Sequence, residues 1–238
     1  MEHLKQFFAD KKVESILDVG TGTGDFIAVL KEVVPGASLT GVDPNKESLL
    51  EATQTFPDVK FKEMYGEKLD FADNTFDVAS ISMALHHLPD ISKTLGEMKR
   101  IVKPGGWIIV NELFSDNLNS AQEVHKAMHH FRSKIDRLNG VSHNETFEKS
   151  QILQFVEDAG FEIRLHFENR KAAKQLSAED IQERSKKLTE MLEQVNHKPE
   201  YLDLKREAEQ ITIALKIHGF EMATRLVIVA AVNKTQLS

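Results

Sequence analysis

Residues 17–24 are Leu-Asp-Val-Gly-Thr-Gly-Thr-Gly, a run that ends in three alternating glycines. It overlaps the short apolar segment 14–20, which predicts a buried strand. Residues 25–34 follow, and their apolar spacing with the Pro-Gly stop at 35–36 predicts a helix. The run is therefore expected to form the turn between a first buried strand and a first helix.

The spacing of Gly20, Gly22 and Gly24 is GxGxG. A dinucleotide-binding turn has the GxGxxG spacing, which brings a helix N-terminus to a pyrophosphate. No GxxxxGK[ST] run is present either. A GxGxG turn suits a ligand without phosphates, whose ribose and amino-acid tail can lie against a flat glycine loop. A merely tight strand–helix turn remains the alternative.

Strand and helix patterns alternate outward from this turn through the first half of the chain. Strands are predicted at 38–42, 59–64, 77–85 and 107–113, and helices at 46–56 and 91–102. This alternation is typical of an α/β fold, a parallel sheet with helices on both faces.

The second half has a different character. Helices are predicted at 118–138 and 150–159, a strand at 161–167, helices at 178–195 and 201–218, and a last strand at 224–232. Ser177 and Asp180 are expected to cap the helix at 178–195. The last two strands are thus separated by a helical insertion.

Composition excludes several classes of protein. The 238 residues include 30 Lys and Arg and 37 Asp and Glu, which gives a net charge of −7. This negative charge argues against a nucleic-acid partner, because binding to nucleic acid depends on Lys and Arg that neutralise phosphates. The absence of cysteine excludes disulfides and thiolate metal sites. No apolar run is long enough for a membrane span, and the N-terminal residues do not resemble a signal peptide. We expect a cytoplasmic protein without a membrane partner.

Asp43 is the second feature that points to a nucleotide. It lies in Gly41-Val-Asp-Pro44, at the end of the second predicted strand and 19 residues after Gly24. A carboxylate about 20 residues beyond the glycine turn accepts hydrogen bonds from ribose hydroxyls in nucleotide-binding folds.

Four segments together resemble one family. They are LDVGTGTG at 17–24, GVDPN at 41–45, DNTFDVASISMALHHLPD at 73–90 and MKRIVKPGG at 98–106. The chain resembles the class I S-adenosylmethionine-dependent methyltransferases, within the small-molecule branch that includes the ubiquinone and menaquinone biosynthesis type. The resemblance is strong over 12–113 and weak over 145–168. It implies one Rossmann-like domain over 1–238, with seven mostly parallel strands and an inserted last strand.

The resemblance also implies a cofactor, S-adenosylmethionine, which becomes S-adenosylhomocysteine. Asp18 would hold the ammonium group, Asp43 the ribose hydroxyls, and Pro44 would lie beside the adenine. The family often has an acid where Tyr65 stands, so adenine recognition through Gly66 and Glu67 is expected instead. The full set of predicted cofactor-binding residues is Asp18, Gly20, Thr21, Gly22, Gly24, Asp43, Pro44, Tyr65, Gly66, Glu67, Ser82, Met83 and His87.

Several acceptors are excluded within this family. Ser82-Met-Ala-Leu stands where amino-group methylators of nucleic acid and protein glutamine have an Asn/Asp-Pro-Pro-aromatic run. Ser82 also stands where metal-dependent catechol-type enzymes need a carboxylate, and arsenic methylators need cysteines. The predicted function is methyl transfer to a small-molecule acceptor. The alternatives are a methyltransferase acting on tRNA or protein, and a non-catalytic cofactor-binding or interaction module.

His86, His125 and Glu112 are the candidate catalytic residues. His86 could instead close a turn beside the cofactor, and Glu112 could satisfy loop amides. His125 and His129 are four residues apart on one helix, so they share a face. That pair could bind a metal, but no metal site is predicted, because no carboxylate motif accompanies it. His130 and His143 are expected to be solvated.

The acceptor is expected to lie under a helical cap at 115–145. The insertion at 170–219 carries apolar stripes within dense charge. Three alternatives are open for it: a helical hairpin packed on itself and on the sheet edge, a homodimer contact, or a lid.

Overall fold

The computed structural model describes residues 1–170 and 176–233. Within them, seven strands form one sheet in the order β3-β2-β1-β4-β5-β7-β6. The strands are β1 (Ser15–Val19), β2 (Ser38–Asp43), β3 (Lys60–Glu63), β4 (Phe76–Ser82), β5 (Val102–Leu113), β6 (Glu162–Asn169) and β7 (Arg225–Ala231). Strands β1 to β5 pair in parallel, and the sheet is mostly parallel. The predicted Rossmann-like sheet, with its last strand inserted between the preceding two, is confirmed.

The described residues contain eight α-helices. They are α1 (Glu2–Phe8), α2 (Asp25–Val33), α3 (Lys46–Thr55), α4 (Ile91–Ile101), α5 (Ser120–Leu138), α6 (Lys149–Asp158), α7 (Ala178–Glu193) and α8 (Tyr201–His218). Helix α1 was not predicted, since only Leu4 and Phe8 of its seven residues are buried. In the described part of the chain, none of these helices has the length and apolarity needed to cross a membrane.

The chain divides into two compact units. The first comprises Met1–Glu112, Ser150–Asn169 and β7 from Leu226 onward, and the second comprises Leu113–Lys149 and Arg170–Arg225. Residues 171–175 of the predicted insertion lie outside the described residues. The interpretation as a single domain with a cap at 115–145 and an insertion at 170–219 stays a prediction.

The core of the first unit lies against the central strands. The buried face of α2 contributes Phe26, Ile27 and Leu30, which pack with Ile16 of β1. Aromatic rings extend this core, because Phe7 meets Trp107 edge to face with ring centroids 4.9 Å apart. The apolar spacing that predicted a helix over 25–34 therefore corresponds to the residues of α2 that are buried in this core.

Helices α5, α7 and α8 share one core in the second unit. It consists of Phe131, Ile135, Leu188, Leu192, Val195, Leu204, Ala208 and Ile211. The predicted α7 and α8 stripes supply most of it, so the packing of this hairpin on itself is confirmed. The capping box at Ser177 and Asp180 is also confirmed.

Two predicted boundaries were wrong. The strand expected over 77–85 ends at Ser82, because Met83 has a left-handed φ of 54° and a 3₁₀ turn follows at Leu85–His87. The strand expected over 107–113 is longer, since β5 begins at Val102 and contains the Lys-Pro-Gly-Gly run at 103–106. Pairing of Val102 with Phe76 starts that strand earlier.

Candidate active site

The carboxyl ends of the parallel strands meet at one edge of the sheet, where ligands bind in open α/β folds. The glycine turn follows β1, Asp43 ends β2, and Ser82 ends β4. Glu112 lies near the end of β5 in the same first unit. The structure therefore brings the first-unit candidates from separate stretches of sequence to one edge.

The glycine turn adopts a conformation that other residues resist. Gly20, Gly22 and Gly24 have φ values of 66°, 52° and 91°, all in the left-handed region. A Cβ atom on Gly20 would lie 2.6 Å from the Ala84 Cβ, whereas one on Gly22 would have no heavy atom within 4 Å. Gly20 is thus required for packing, and Gly22 leaves open space above the turn.

Asp43 binds the glycine turn directly. Its Oδ2 accepts the backbone N–H of Gly22 at 2.9 Å, and its Oδ1 accepts the N–H of Asn45 at 2.8 Å. Each carboxylate oxygen can accept more than one hydrogen bond. The carboxylate can therefore hold the turn and accept ribose hydroxyls at the same time.

Asp18 is a buried acid inside the site. Its side chain is 1% exposed, and its Oδ1 accepts the Ser80 hydroxyl at 2.6 Å. Its Oδ2 has no hydrogen-bond partner among the described residues. Burial raises the pKa of Asp18 to about 6. The Ser80 and Thr21 hydroxyls oppose this rise, and the nearby Asp43 charge adds to it.

This buried oxygen fits the predicted cofactor. A buried polar atom without a partner is costly, and the ammonium group of an amino-acid tail would supply both hydrogen bonds and the opposite charge. The buried Thr21 hydroxyl lies close enough to the Asp18 carboxyl to lower its pKa, but in the described part of the chain it makes no hydrogen bond of normal geometry. The residues present therefore fit S-adenosylmethionine.

In the segment after β3, the exposed Tyr65 is followed by the buried Gly66. Tyr65 is 67% exposed and Pro44 is exposed. Gly66 is buried, and a Cβ there would lie 2.9 Å from the Thr94 Cγ2. The buried Oε1 of Glu67 has no hydrogen-bond partner among the residues described. These observations favour Gly66 and Glu67 over Tyr65 as the inward-facing part of the segment.

Asn111 is a site residue that the sequence reasoning missed. It is fully buried on β5, its side-chain Nδ2 donates to the Ser82 hydroxyl at 2.8 Å, and its backbone carbonyl oxygen accepts the Met83 N–H at 2.8 Å. Met83 is held in its left-handed conformation by this contact. The only feature in the sequence that could have indicated this role is that one amide side chain directly follows the apolar run Trp107–Val110.

His86 and Glu112 form a buried pair at the end of β4 and β5. Their side chains are 4% and 1% exposed, and His86 Nδ1 lies 2.9 Å from Glu112 Oε1. Glu112 Oε2 accepts the backbone N–H of Leu85 at 3.0 Å. Both carboxylate oxygens thus fix the 3₁₀ turn. His87 is exposed, and its ring lies 4.3 Å from that of His86.

Comparison with known proteins gives the same family that the sequence motifs resemble. A family model described as a methyltransferase domain matches residues 1–166. The chain belongs to this methyltransferase family. A demethylmenaquinone methyltransferase of Chlorobaculum parvum is 31% identical over 154 residues, which cover 63% of each chain. A ubiquinone/menaquinone biosynthesis C-methyltransferase of Bdellovibrio bacteriovorus is 32% identical over 58% of this chain and 60% of its own.

The chain thus spans about 60% of the length of the curated relatives it matches. Among solved structures, an S-adenosylmethionine-dependent methyltransferase of Methanosarcina mazei superposes with a TM-score of 0.60. That similarity covers 95% of this chain and 96% of the other, at 17% identity. It establishes the fold.

His125 belongs to the second unit. Its Nδ1 accepts the backbone N–H of Ala223 at 3.0 Å, so a neutral ring carries its proton on Nε2. Its ring meets Phe220 edge to face with centroids 5.1 Å apart. These contacts position the ring, and its catalytic role stays a prediction.

The expectation that His143 is solvated was wrong, whereas His130 is partly exposed. His143 is 2% exposed, and its Nδ1 lies 2.6 Å from Asp136 Oδ2. His130 Nε2 lies 2.8 Å from the Thr146 hydroxyl, and burial lowers the pKa of His130. The segment after α5 folds back over the helix, which no periodicity in the sequence indicates.

Proposed function

We propose that this methyltransferase domain transfers the methyl group of S-adenosylmethionine to a nucleophilic atom of a small organic molecule. The observation that carries the proposal is the buried Asp18 carboxylate, whose Oδ2 has no partner among the described residues. It lies beside a left-handed glycine turn that Asp43 holds through Gly22. A cationic amino-acid tail linked to a ribose satisfies both features.

Different residues of the first unit bind different parts of the cofactor. Asp18 binds the ammonium group, and Asp43 accepts the ribose hydroxyls with the lone pairs that Gly22 and Asn45 do not use. Gly66 and Glu67 border the adenine. When bound, the cofactor supplies an electrophilic methyl group on a sulfonium. The remaining cofactor-binding roles rest on the family resemblance. They are those of Gly20, Thr21, Gly24, Pro44, Tyr65, Ser82, Met83 and His87.

Alignment supplies most of the rate of an in-line methyl transfer. Correct positioning contributes about 7–11 kcal/mol, whereas a general base adds about 10²–10⁴-fold. We assign His86 and Glu112 a positioning role, because both oxygens of Glu112 bind the 3₁₀ turn that follows β4. The turn then fixes the backbone beside the site. A catalytic role for His125 stays a prediction.

The acceptor is proposed from the names of the relatives. Curated relatives at about 30% identity are named as methyltransferases of demethylmenaquinone or of the ubiquinone and menaquinone pathways. Hydroquinones and related hydroxylated aromatic compounds are therefore the first acceptors to test. The cytoplasmic location, the absence of a nucleic-acid partner and a homodimer formed through the insertion stay predictions.

The experiment is an acceptor screen that measures S-adenosylhomocysteine by mass spectrometry. Purified full chain is incubated with S-adenosylmethionine and a panel of hydroquinones, phenols and small amines, with tRNA and protein mixtures as separate arms. We expect product with a small molecule and none with Asp43→Ala. Product only in the tRNA or protein arm contradicts the proposed acceptor class. Cofactor binding without turnover on a broad panel supports a non-catalytic module.

A further inference from the structure

We propose that the second unit contains a binding site for a divalent transition-metal ion, with His129 and His143 as ligands. The Nε2 atoms of these two residues lie 3.3 Å apart. Their rings are nearly perpendicular, at 87°, with centroids 4.9 Å apart. Both residues belong to the second unit.

The separation of the two nitrogens matches shared coordination. Histidine nitrogens lie about 2.0–2.1 Å from zinc in tetrahedral sites, which places two such ligands about 3.3–3.4 Å apart. The same distance allows a hydrogen bond in which His129 Nε2–H donates to His143 Nε2. A metal ion would replace this hydrogen bond with two metal–nitrogen bonds and needs no change in the separation of the two nitrogens.

A carboxylate fixes the metal-binding nitrogen of His143. Asp136 Oδ2 lies 2.6 Å from His143 Nδ1, so Nδ1 carries the proton and Nε2 presents its lone pair. Metal-bound histidines commonly donate their other N–H to a carboxylate, which orients the ring and raises its basicity. Asp136 and His143 form this carboxylate–histidine arrangement.

The backbone holds the two ligands in place. His129 and Asp136 are both on α5, seven residues apart and on one face. The segment after α5 returns over the helix, because the Val141 N–H donates to the Asp136 carbonyl oxygen and Arg137 donates to the carbonyl oxygen of His143 at 2.7 Å. His143 is thus positioned by a helix and a hydrogen-bonded loop.

A cavity gives access to the site from within the same unit. Its volume is about 530 Å³, and both His129 and Asp136 line it. The charged residues that line it are Arg132, Asp136, Arg184, Lys187 and Glu190. Neutral imidazoles bind borderline metals such as zinc, cobalt and nickel well. The cavity leaves room for water or a small anion to complete the coordination.

The test is calorimetric titration of the EDTA-treated full chain with Zn²⁺ and Co²⁺. We expect one metal equivalent per chain in the wild type. His129→Gln and His143→Gln should each weaken binding at least tenfold, whereas His197→Gln, at an exposed position of the same unit, should leave it unchanged. The visible absorption spectrum of bound Co²⁺ should show nitrogen coordination in the wild type.

Asp136→Asn keeps both ligands and removes the carboxylate behind His143. It should weaken binding by about 10–100-fold, as substitutions of such outer partners do. This variant also serves if a histidine variant fails to fold, which circular dichroism checks. Absence of stoichiometric binding of either metal to folded wild-type protein overturns the proposal, as does equal affinity in wild type and His143→Gln.

Discussion

Gly22 and Asp43 are 21 residues apart in the chain, and the N–H of Gly22 donates to Asp43 Oδ2 at 2.9 Å. This hydrogen bond joins the turn after β1 to the end of β2. It fixes the left-handed backbone of the turn and leaves further lone pairs of the carboxylate for a ligand. Under the proposed function, Asp43 would therefore couple the shape of the glycine turn to ribose binding.

Two glycine substitutions in this turn should differ in cost. Gly20→Ala combines left-handed strain with a Cβ contact of 2.6 Å to Ala84, and we expect a loss of about 2–5 kcal/mol in the free energy of unfolding. Gly22→Ala has strain without a clash, so about 1–2 kcal/mol is expected. Chemical denaturation measures both values. A larger loss in Gly22→Ala would contradict the packing described for the turn.

Asp18→Asn should change how stability depends on pH. Because burial raises the pKa of Asp18 to about 6, the folded state binds more protons than the unfolded state between about pH 4 and pH 6. The contribution of this group to stability is therefore greatest at low pH and falls as the pH rises. The change amounts to roughly 3 kcal/mol.

The asparagine variant lacks this contribution and keeps an oxygen acceptor for Ser80. Urea denaturation of both proteins at several pH values gives the difference in unfolding free energy, in which the other titrating groups cancel. We expect the variant to gain stability relative to wild type as the pH rises through the window. A difference that is constant with pH would refute the assignment.

Glu112→Ala should destabilise the first unit. It removes the acceptor for the Leu85 N–H and the partner of His86 Nδ1, both buried. We expect a loss of about 2–5 kcal/mol in unfolding free energy. Glu63→Ala is the matched control, since the exposed pair of Glu63 with Lys46 contributes less than about 1 kcal/mol.

Glu112→Gln separates positioning from stability. The amide keeps one oxygen for the turn, so the fold should survive, while the orientation of His86 is altered. If Glu112 positions the turn beneath the site, kcat for methyl transfer should fall with little change in KM for the cofactor. An unchanged kcat would show that Glu112 serves stability alone.

Many elements of both units could be predicted from local signals. The alternation of apolar runs with helical periodicity located the strands and helices of the parallel sheet, and the glycine spacing located the turn that Asp43 binds. The inserted position of the last strand was implied by the family resemblance. The α8 bounds, Tyr201–His218, agree with the predicted range because an uninterrupted apolar stripe follows Pro199. These features depend on neighbours in sequence.

Features that depend on contacts distant in sequence could not be predicted. The end of β4 is set by the backbone of Met83, whose left-handed φ is held by a hydrogen bond to Asn111. The burial of His143 depends on the chain returning over α5 to meet Asp136. No periodic pattern in residues 139–149 indicates that return.

Calorimetric titration with S-adenosylmethionine and S-adenosylhomocysteine tests the central claim most directly. We expect micromolar binding of both compounds to the wild type and at least a hundredfold loss in Asp43→Ala. Asp58→Ala, which removes an exposed carboxylate paired with Lys31, should bind as the wild type does. Failure of folded wild-type protein to bind either compound would contradict the account.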